Sequence, residues 1–349
     1  MERKKTMPTK KKTEKTVSKK NKRIAVLTSG GDSPGMNSVI RAVARQSIYH
    51  GYECFLIYEG YKGLVEDNFR EIDINEIDSL AANGGTFIYT SRLPEFTEVA
   101  VRQIAVNNLK KRNIDALVVV GGDGSLKGAS ALSLMGVNCI ALPGTIDNDM
   151  GSSEFTIGFY TALETIGKAV QEIRNTCISH NRIGLIEVMG RYCGDLALYG
   201  GIASGADLII TCENYMTPTQ ISDAIERAYK KNPERRTFII IVSEMLYGAG
   251  KNPTLESIAE VIQTVNKKRT NVSRLGYIQR GGMPTTMERV WGTLMGMHAV
   301  DIIHDGKKNR VVGQNHNNLI DYSIADAIKM KNPPRIEILK KINRFSSVR

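Results

Sequence analysis

The sequence predicts an α/β protein with mainly parallel sheets. Three observations carry that expectation. Runs of β-branched and aliphatic residues alternate with amphipathic segments along almost the whole chain. Glycine turns follow several of those runs, at Gly30-Gly31, Gly121–Ser125 and Gly144. The length of 349 residues suffices for two domains, and a hydrophobic content of 42% can fill their cores.

The elements follow in order. Arg23–Thr28 reads as the first strand, and Met36–His50 as a helix with Val39, Ile40, Val43, Ala44 and Ile48 at helical spacing. Arg41 and Arg45 share one face of that helix, where two cations repel unless an anion meets them; a solvated face is the alternative. Glu53–Tyr58 is the next strand, and Glu98–Arg112 the next helix. Asp115–Val120 is a strand, Gly121–Ser125 its turn, and Leu126–Met135 a helix. Val137–Leu142 is a strand that runs into Pro143–Asp149, a loop with two carboxylates. Asx-type turns could use one of them. Phe155–Cys177 reads as a long helix and Ile183–Val188 as a strand ending in Met189-Gly190-Arg191. Asp207–Thr211, Thr237–Ser243 and Arg274–Gln279 read as strands; Thr217–Lys231, Thr254–Lys268 and Met287–His304 read as helices.

Composition excludes some functions. The net charge of +11 is concentrated in the first 23 residues, whose eleven Lys or Arg and two Glu leave only +2 for the other 326. Residues 1–22 are expected to be a disordered basic tail, and the nearly neutral remainder gives no reason to expect nucleic acid. No run approaches the length of a membrane span and no secretory signal is visible. Cys54, Cys139, Cys177, Cys193 and Cys212 lack metal-ligand spacing, which suggests reduced thiols and a cytoplasmic location.

The loops suggest polyphosphate chemistry. A helix start offers free N–H groups and a positive dipole end, and glycines let the backbone approach a ligand closely. Asp123 would repel a bare anion, but makes sense with a divalent cation between it and the phosphates. A tight turn with a capping Asp is the bland alternative. Neither Gly-x4-Gly-Lys-Ser/Thr nor Gly-x-Gly-x-x-Gly occurs. Arg92, Arg182, Arg191 and Arg280 lie near predicted strand ends, as phosphoryl transfer to a phosphorylated acceptor requires.

With Thr28–Asn37, Gly121–Ser125, Pro143–Asp149, Met189–Asp195 and Gln279–Gly282 in that order, the chain resembles the ATP-dependent 6-phosphofructokinases of bacterial type over roughly residues 23–330. The resemblance implies two similar three-layer α/β domains. One would span 23–157 plus about 280–325 and bind ATP; the other would span 158–279 plus the C-terminal segment and bind sugar phosphate. It implies that Gly31, Arg92, Gly121, Gly122, Asp123, Gly124 and Ser125 bind ATP, with Asp123 on Mg2+. Asp147 matches the general base, flanked by Thr145 and Asp149, with Arg191 on the transition-state charge. Thr145, Ile146, Asp147, Arg182, Met189, Gly190, Arg191, Glu244, Asn271, Tyr277 and Arg280 would form the fructose 6-phosphate site. Arg182 would act across an interface of a homotetramer. Arg41, Arg45, Arg174, Asp207, Arg235 and Arg236 resemble contacts to a nucleotide or phosphoenolpyruvate effector.

The chain departs from the pattern at four places. Asn271 and Tyr277 stand where the family has Arg and His, so Arg269 or Arg274 is expected to restore the 6-phosphate contact. Ile74 and Pro233 stand where the effector site has Arg and Lys. Two alternatives are a pyrophosphate-dependent relative, which would have Asp at Gly124 and Lys at Gly144, and a non-catalytic regulatory subunit.

Overall fold

The structure, a computed structural model, describes residues 22–248, 250 and 253–345. The expected basic tail lies outside the described residues except for Lys22. Among the described residues, twelve strands form two sheets. The first contains β1 (Arg23–Ser29), β2 (Glu53–Ile57), β3 (Phe69–Glu71), β4 (Ala116–Gly121), β5 (Cys139–Thr145) and β6 (Ile157–Gly158). The second contains β7 (Ile183–Val188), β8 (Leu208–Ile210), β9 (Phe238–Ser243) and β10 (Thr270–Arg274). The chain then returns to the first sheet with β11 (Arg310–Asn315) and β12 (Asn318–Ser323).

The first sheet has the order β12-β11-β5-β4-β1-β2-β3, with β6 beside β5. It is parallel except at the β2–β3 and β11–β12 pairs. The second has the order β10-β7-β9-β8 and is parallel throughout. The inner strands of both sheets are buried on both faces, which is why β1, β4, β5, β7 and β9 read as continuous apolar runs. Along β1, Ile24 and Val26 join one core layer and Ala25 and Leu27 the other. Along β9, Ile239 and Ile241 alternate in the same way with Phe238, Ile240 and Val242.

One predicted strand is wrong. Arg274–Gln279 is not extended: β10 ends at Arg274, and Gly276–Gln279 is a 3-10 turn. Gly276 has φ +54°, which reverses the chain, and Gln279 turns fully inward. The preceding residues Thr270–Ser273, too polar to stand out, form the strand instead. The long helix starts at Phe159, four residues late, because Thr156–Gly158 first pairs with the end of β5.

Helix Thr286–His304 joins two units, each a sheet with the helices packed against it. Gly296 lets it lie directly on helix Met36–Tyr49, since a Cβ there would meet Ala42 Cβ and Val39 O at 2.8 Å. Its Glu288 is 1% exposed and caps helix Phe159–Ser179. The carboxylate accepts from Gly158 N at 2.6 Å, Thr161 N at 3.1 Å and Thr161 Oγ1 at 3.2 Å. Burial outweighs these donors and pushes its pKa up from 4.5 to about 7. An unfolded Glu releases its proton near pH 4.5, whereas Glu288 holds it to about 7. Its stabilisation is therefore complete below the lower value and lost as pH rises through the upper one, by roughly 3 kcal/mol. Glu288→Gln should flatten that slope between about pH 4.5 and pH 7 in denaturation curves. Equal slopes in the two proteins would contradict the assignment.

Candidate active site

Strands β5, β4 and β1 are adjacent and parallel, with Ser29 opposite Gly121 and Gly121 opposite Pro143. Their carboxyl ends therefore share one edge, and the Gly30, Gly121 and Gly144 turns line one crevice. Helix Asp123–Leu134 starts there on Gly122, which has no side-chain cap; Ser125 N turns back to Gly122 O at 3.0 Å, and the positive end of the helix opens on the crevice, a geometry that suits an anion. The helix begins three residues before the expected Leu126 because Ser125 is drawn inward, its Oγ donating to Ser29 O at 2.9 Å. Gly121 is obligatory, since a Cβ would lie 2.3 Å from Ser29 O and 2.4 Å from Ser125 Oγ. Asp123 is half-exposed and pairs with Lys127 at 2.7 Å.

The Arg280 guanidinium packs on Gly31, where a Cβ would stand 3.2 Å from it. Arg92 is exposed. Its loop is tied to the end of β1 by Thr28 Oγ1 donating to Tyr89 O and Thr90 Oγ1 donating to Gly30 O.

The loop after β5 carries the acids. Thr145 faces Gly122, and its Oγ1 accepts from Asp147 N at 3.2 Å. Asp147 is 9% exposed, and its Oδ1 is buried without a hydrogen-bond partner. Burial chiefly, with the charges of Asp149 and Glu244, raises its pKa from 3.8 to about 6; Arg280 and Arg191 act in the opposite direction. Asp149 Oδ1 is likewise buried and unpartnered. Burial raises its pKa, Asp123 adds repulsion, and Arg191 and Lys127 oppose. Such a carboxylate pair has no structural reason to stay unpaired, but it suits groups that must receive protons or cations.

The second unit closes the site. Gly190 has φ +127° and Arg191 +55°, so the chain turns sharply after β7. Arg191 is exposed, and its N donates to Glu244 Oε1 at 2.9 Å. Met189 N donates to Oε1 of the buried Gln279 at 3.2 Å, which ties the 276–280 turn to this edge. Arg280 lies 5.4 Å from the ring centre of Tyr277, itself 77% exposed. Ile146 and Met189 pack in the core, so they offer the site mainly backbone.

The remaining expected sugar-site residues lie elsewhere. Arg182 Nη1 meets Asn271 Oδ1 at 3.5 Å, at the amino ends of β7 and β10. That is a six-residue strand, roughly 20 Å, from Arg191. Arg269 is exposed beside them, and its carbonyl accepts from Ile183 N. Arg274 sits at the other end of β10, engaged by Glu256 at 2.7 and 2.9 Å and by Glu187 at 3.4 Å. It is not free to replace the missing charge.

The residues expected at an effector site form two groups. Arg41 and Arg45 do meet an anion, but it is the chain's own Asp78: Arg41 Nε donates to Oδ1 at 2.8 Å and Arg45 Nε at 3.0 Å. Arg174, Asp207, Arg235 and Arg236 surround the amino ends of β8 and β9. Arg235 pairs with Asp207 at 2.5 Å. Arg174 donates to the Ser204 and Gly205 carbonyls, and Arg236 to that of Ile178.

Three contributors escaped the sequence reading: Asn148, Asp195 and Gln279. All are buried polar residues within or beside the quoted runs. Inward direction is a tertiary property that no local pattern signals.

Among the described residues no three His, Cys, Asp or Glu form a metal cage. The mutual repulsion of Asp123 and Asp149, and the unpartnered Asp149 Oδ1, nevertheless fit Mg2+, which binds through one or two carboxylates and substrate phosphates.

Known proteins resemble this chain in sequence and in fold. The chain is 44% identical over 320 residues to an ATP-dependent 6-phosphofructokinase of Vibrio cholerae, a match covering 91% of this chain and 98% of that one. It superposes on phosphofructokinase from Saccharomyces cerevisiae with a TM-score of 0.80 at 33% identity, covering 94% of this chain and 48% of the yeast chain. A pyrophosphate-dependent phosphofructokinase from Marinobacter aquaeolei shares the fold, with a TM-score of 0.80 at 16% identity over 92% of this chain and 91% of that one. The phosphofructokinase family model matches residues 23–303, and with identities of this size the chain belongs to the phosphofructokinase family.

Proposed function

We propose that this chain, an enzyme that phosphorylates fructose 6-phosphate with ATP in glycolysis, uses Asp147 as the general base. The 1-hydroxyl would lose its proton to Asp147 as it attacks the γ-phosphorus, giving fructose 1,6-bisphosphate. The buried, unpartnered Asp147 Oδ1 is the observation that carries this reading. A pKa near 6 leaves the group ionised at neutral pH yet more basic than an ordinary Asp. Arg191 would take up charge on the transferring phosphoryl group, and Thr145 would help to hold that group. Gly31, Arg92 and Gly121 to Ser125 would bind ATP on the first unit. Met189, Gly190, Glu244, Tyr277 and Arg280 would line the sugar site. Asp123, with Asp149 nearby, would hold Mg2+, which when bound screens the phosphate charges.

ATP is favoured over pyrophosphate as donor. A Cβ at Gly124 would meet nothing within 4 Å, so the space beside the phosphate loop is open. A Cβ at Gly144 would stand 2.9 Å from Val120 Cγ1 and 3.0 Å from Met36 Cε, so a Lys there has no room. A coupled assay with fructose 6-phosphate should give turnover with ATP and little with pyrophosphate. The reverse, or turnover with neither, would overturn this reading.

Arg182 and Asn271, remote from the chain's own Asp147, support a homo-oligomer in which they complete a neighbour's sugar site. The exposed stripe of Met287, Val290, Leu294 and Met297 on one helix also supports an oligomer, which we take to be a tetramer. Arg269 replaces the charge missing at Asn271. Arg269→Ala should raise the half-saturating fructose 6-phosphate concentration by on the order of tenfold or more, with that for ATP unchanged. An unchanged sugar response would exclude it.

The two arginine groups would bind a nucleotide or phosphoenolpyruvate effector between subunits, with Asp78 competing for Arg41 and Arg45. Asp78→Asn should then tighten ADP binding, and unchanged affinity would refute that competition. No described helix is long and apolar enough to cross a membrane, and the free cysteines fit a cytoplasmic setting.

A further inference from the structure

Asn148 separates the two acids of the loop and is held unusually firmly. It is fully buried with φ +55°, a left-handed conformation that bends the chain between Asp147 and Asp149. Its Nδ2 donates to Asp195 Oδ2 at 2.8 Å and to Glu154 O at 3.4 Å. Its Oδ1 accepts from Thr156 N at 3.1 Å, and its carbonyl accepts from Asn332 Nδ2 at 2.9 Å. Asp195, 6% exposed, is paired in turn with Arg335 Nε at 3.4 Å. Two of these holds come from one late segment of the chain, beyond the residues matched by the family model.

That segment lies directly on the loop. A Cβ at Gly151 would meet Lys331 N at 2.5 Å and Met330 C at 2.6 Å, so residues 330–331 run against the backbone just past Asp149. The segment is anchored on the second unit, whereas the loop issues from β5 of the first. Arg335 also covers the Tyr199 ring at 5.3 Å. Helix Ile336–Phe345 buries Leu339 in the core of the second unit. Its Asn343 Oδ1 accepts from Ile209 N at 2.9 Å, and its Nδ2 donates to Ile209 O at 2.8 Å, along β8.

We propose that Asn332 and Arg335 are positioning residues for phosphoryl transfer: through the Asn148 carbonyl and Asp195 they clamp the bend that aims Asp147 and Asp149 into the crevice. Neither touches the reacting atoms. The bend needs holding because a left-handed, non-glycine residue between two mutually repelling carboxylates relaxes unless its surroundings fix it. This proposal rests on the assignment of Asp147 as base.

Full-length Asn332→Ala, Arg335→Gln and their combination test it, with Asn343→Ala as a control that loosens the same helix without touching the loop. The double variant should lose about 10–100-fold in kcat, since misplacing a reacting group by about 1 Å has effects of that order. Half-saturating ATP should change less than about twofold, because the Gly121–Ser125 turn is untouched. Asn343→Ala should keep near-normal kcat. Wild-type kcat in the double variant would overturn the proposal, as would equal losses in Asn343→Ala, which would indicate general loosening. Asp147→Asn belongs in the same series. If it retains normal turnover, the base assignment falls and the proposal falls with it; if it is impaired while the double variant is normal, only the positioning role falls.

Discussion

Asp147→Asn is expected to lower kcat by about 10²–10⁴-fold, the usual weight of general-base catalysis. The half-saturating concentrations of both substrates should move far less, since the amide keeps the shape of the carboxylate and loses only its basicity. The physical argument rests on burial. A carboxylate with an unpartnered oxygen, 9% exposed, is held there against its own desolvation. Asp149 and Glu244 add repulsion, and Arg280 and Arg191 keep the shift modest. An amide in the same place cannot accept the proton. Near-normal turnover in Asp147→Asn would remove it from the role.

Arg191→Ala should cost about 10²–10³-fold in kcat, the effect of deleting one preorganised donor to transition-state charge. The backbone of this residue is fixed by Glu244 in a left-handed conformation, which suits a guanidinium that must wait in place. Because the interaction strengthens as charge develops, the loss should appear in kcat and equally in kcat/KM. Steady-state kinetics decide it. A rise in KM alone would mean that Arg191 only binds substrate.

The alternation of strand, glycine turn and helix was legible because both faces of the inner strands are covered, which leaves continuous apolar runs such as Leu117–Val120 and Phe238–Val242. The crevice followed from parallel connectivity, since neighbouring parallel strands end on one edge. Asp147, Asp149 and Arg191 stood out because acids and a cation crowd the ends of strands. What stayed hidden is tertiary. The polar run Thr270–Ser273 forms a strand because it pairs with β7, whereas Leu275–Gln279, which looks better suited, is broken at Gly276. That Asp78 would meet Arg41 and Arg45 depends on how two helices lie together. The buried directions of Asn148, Asp195, Gln279 and Glu288 depend on which polar groups each finds after folding.

The dependence of kcat/KM on pH tests the central claim most directly, because it reports the ionisation of groups in the free enzyme. For wild type with ATP and fructose 6-phosphate, an acid limb should centre near the Asp147 pKa of about 6 and fall about tenfold per pH unit below it. Asp147→Asn should retain a low, flat rate across that limb. An acid limb of unchanged midpoint in Asp147→Asn would assign the proton to another group and contradict the account.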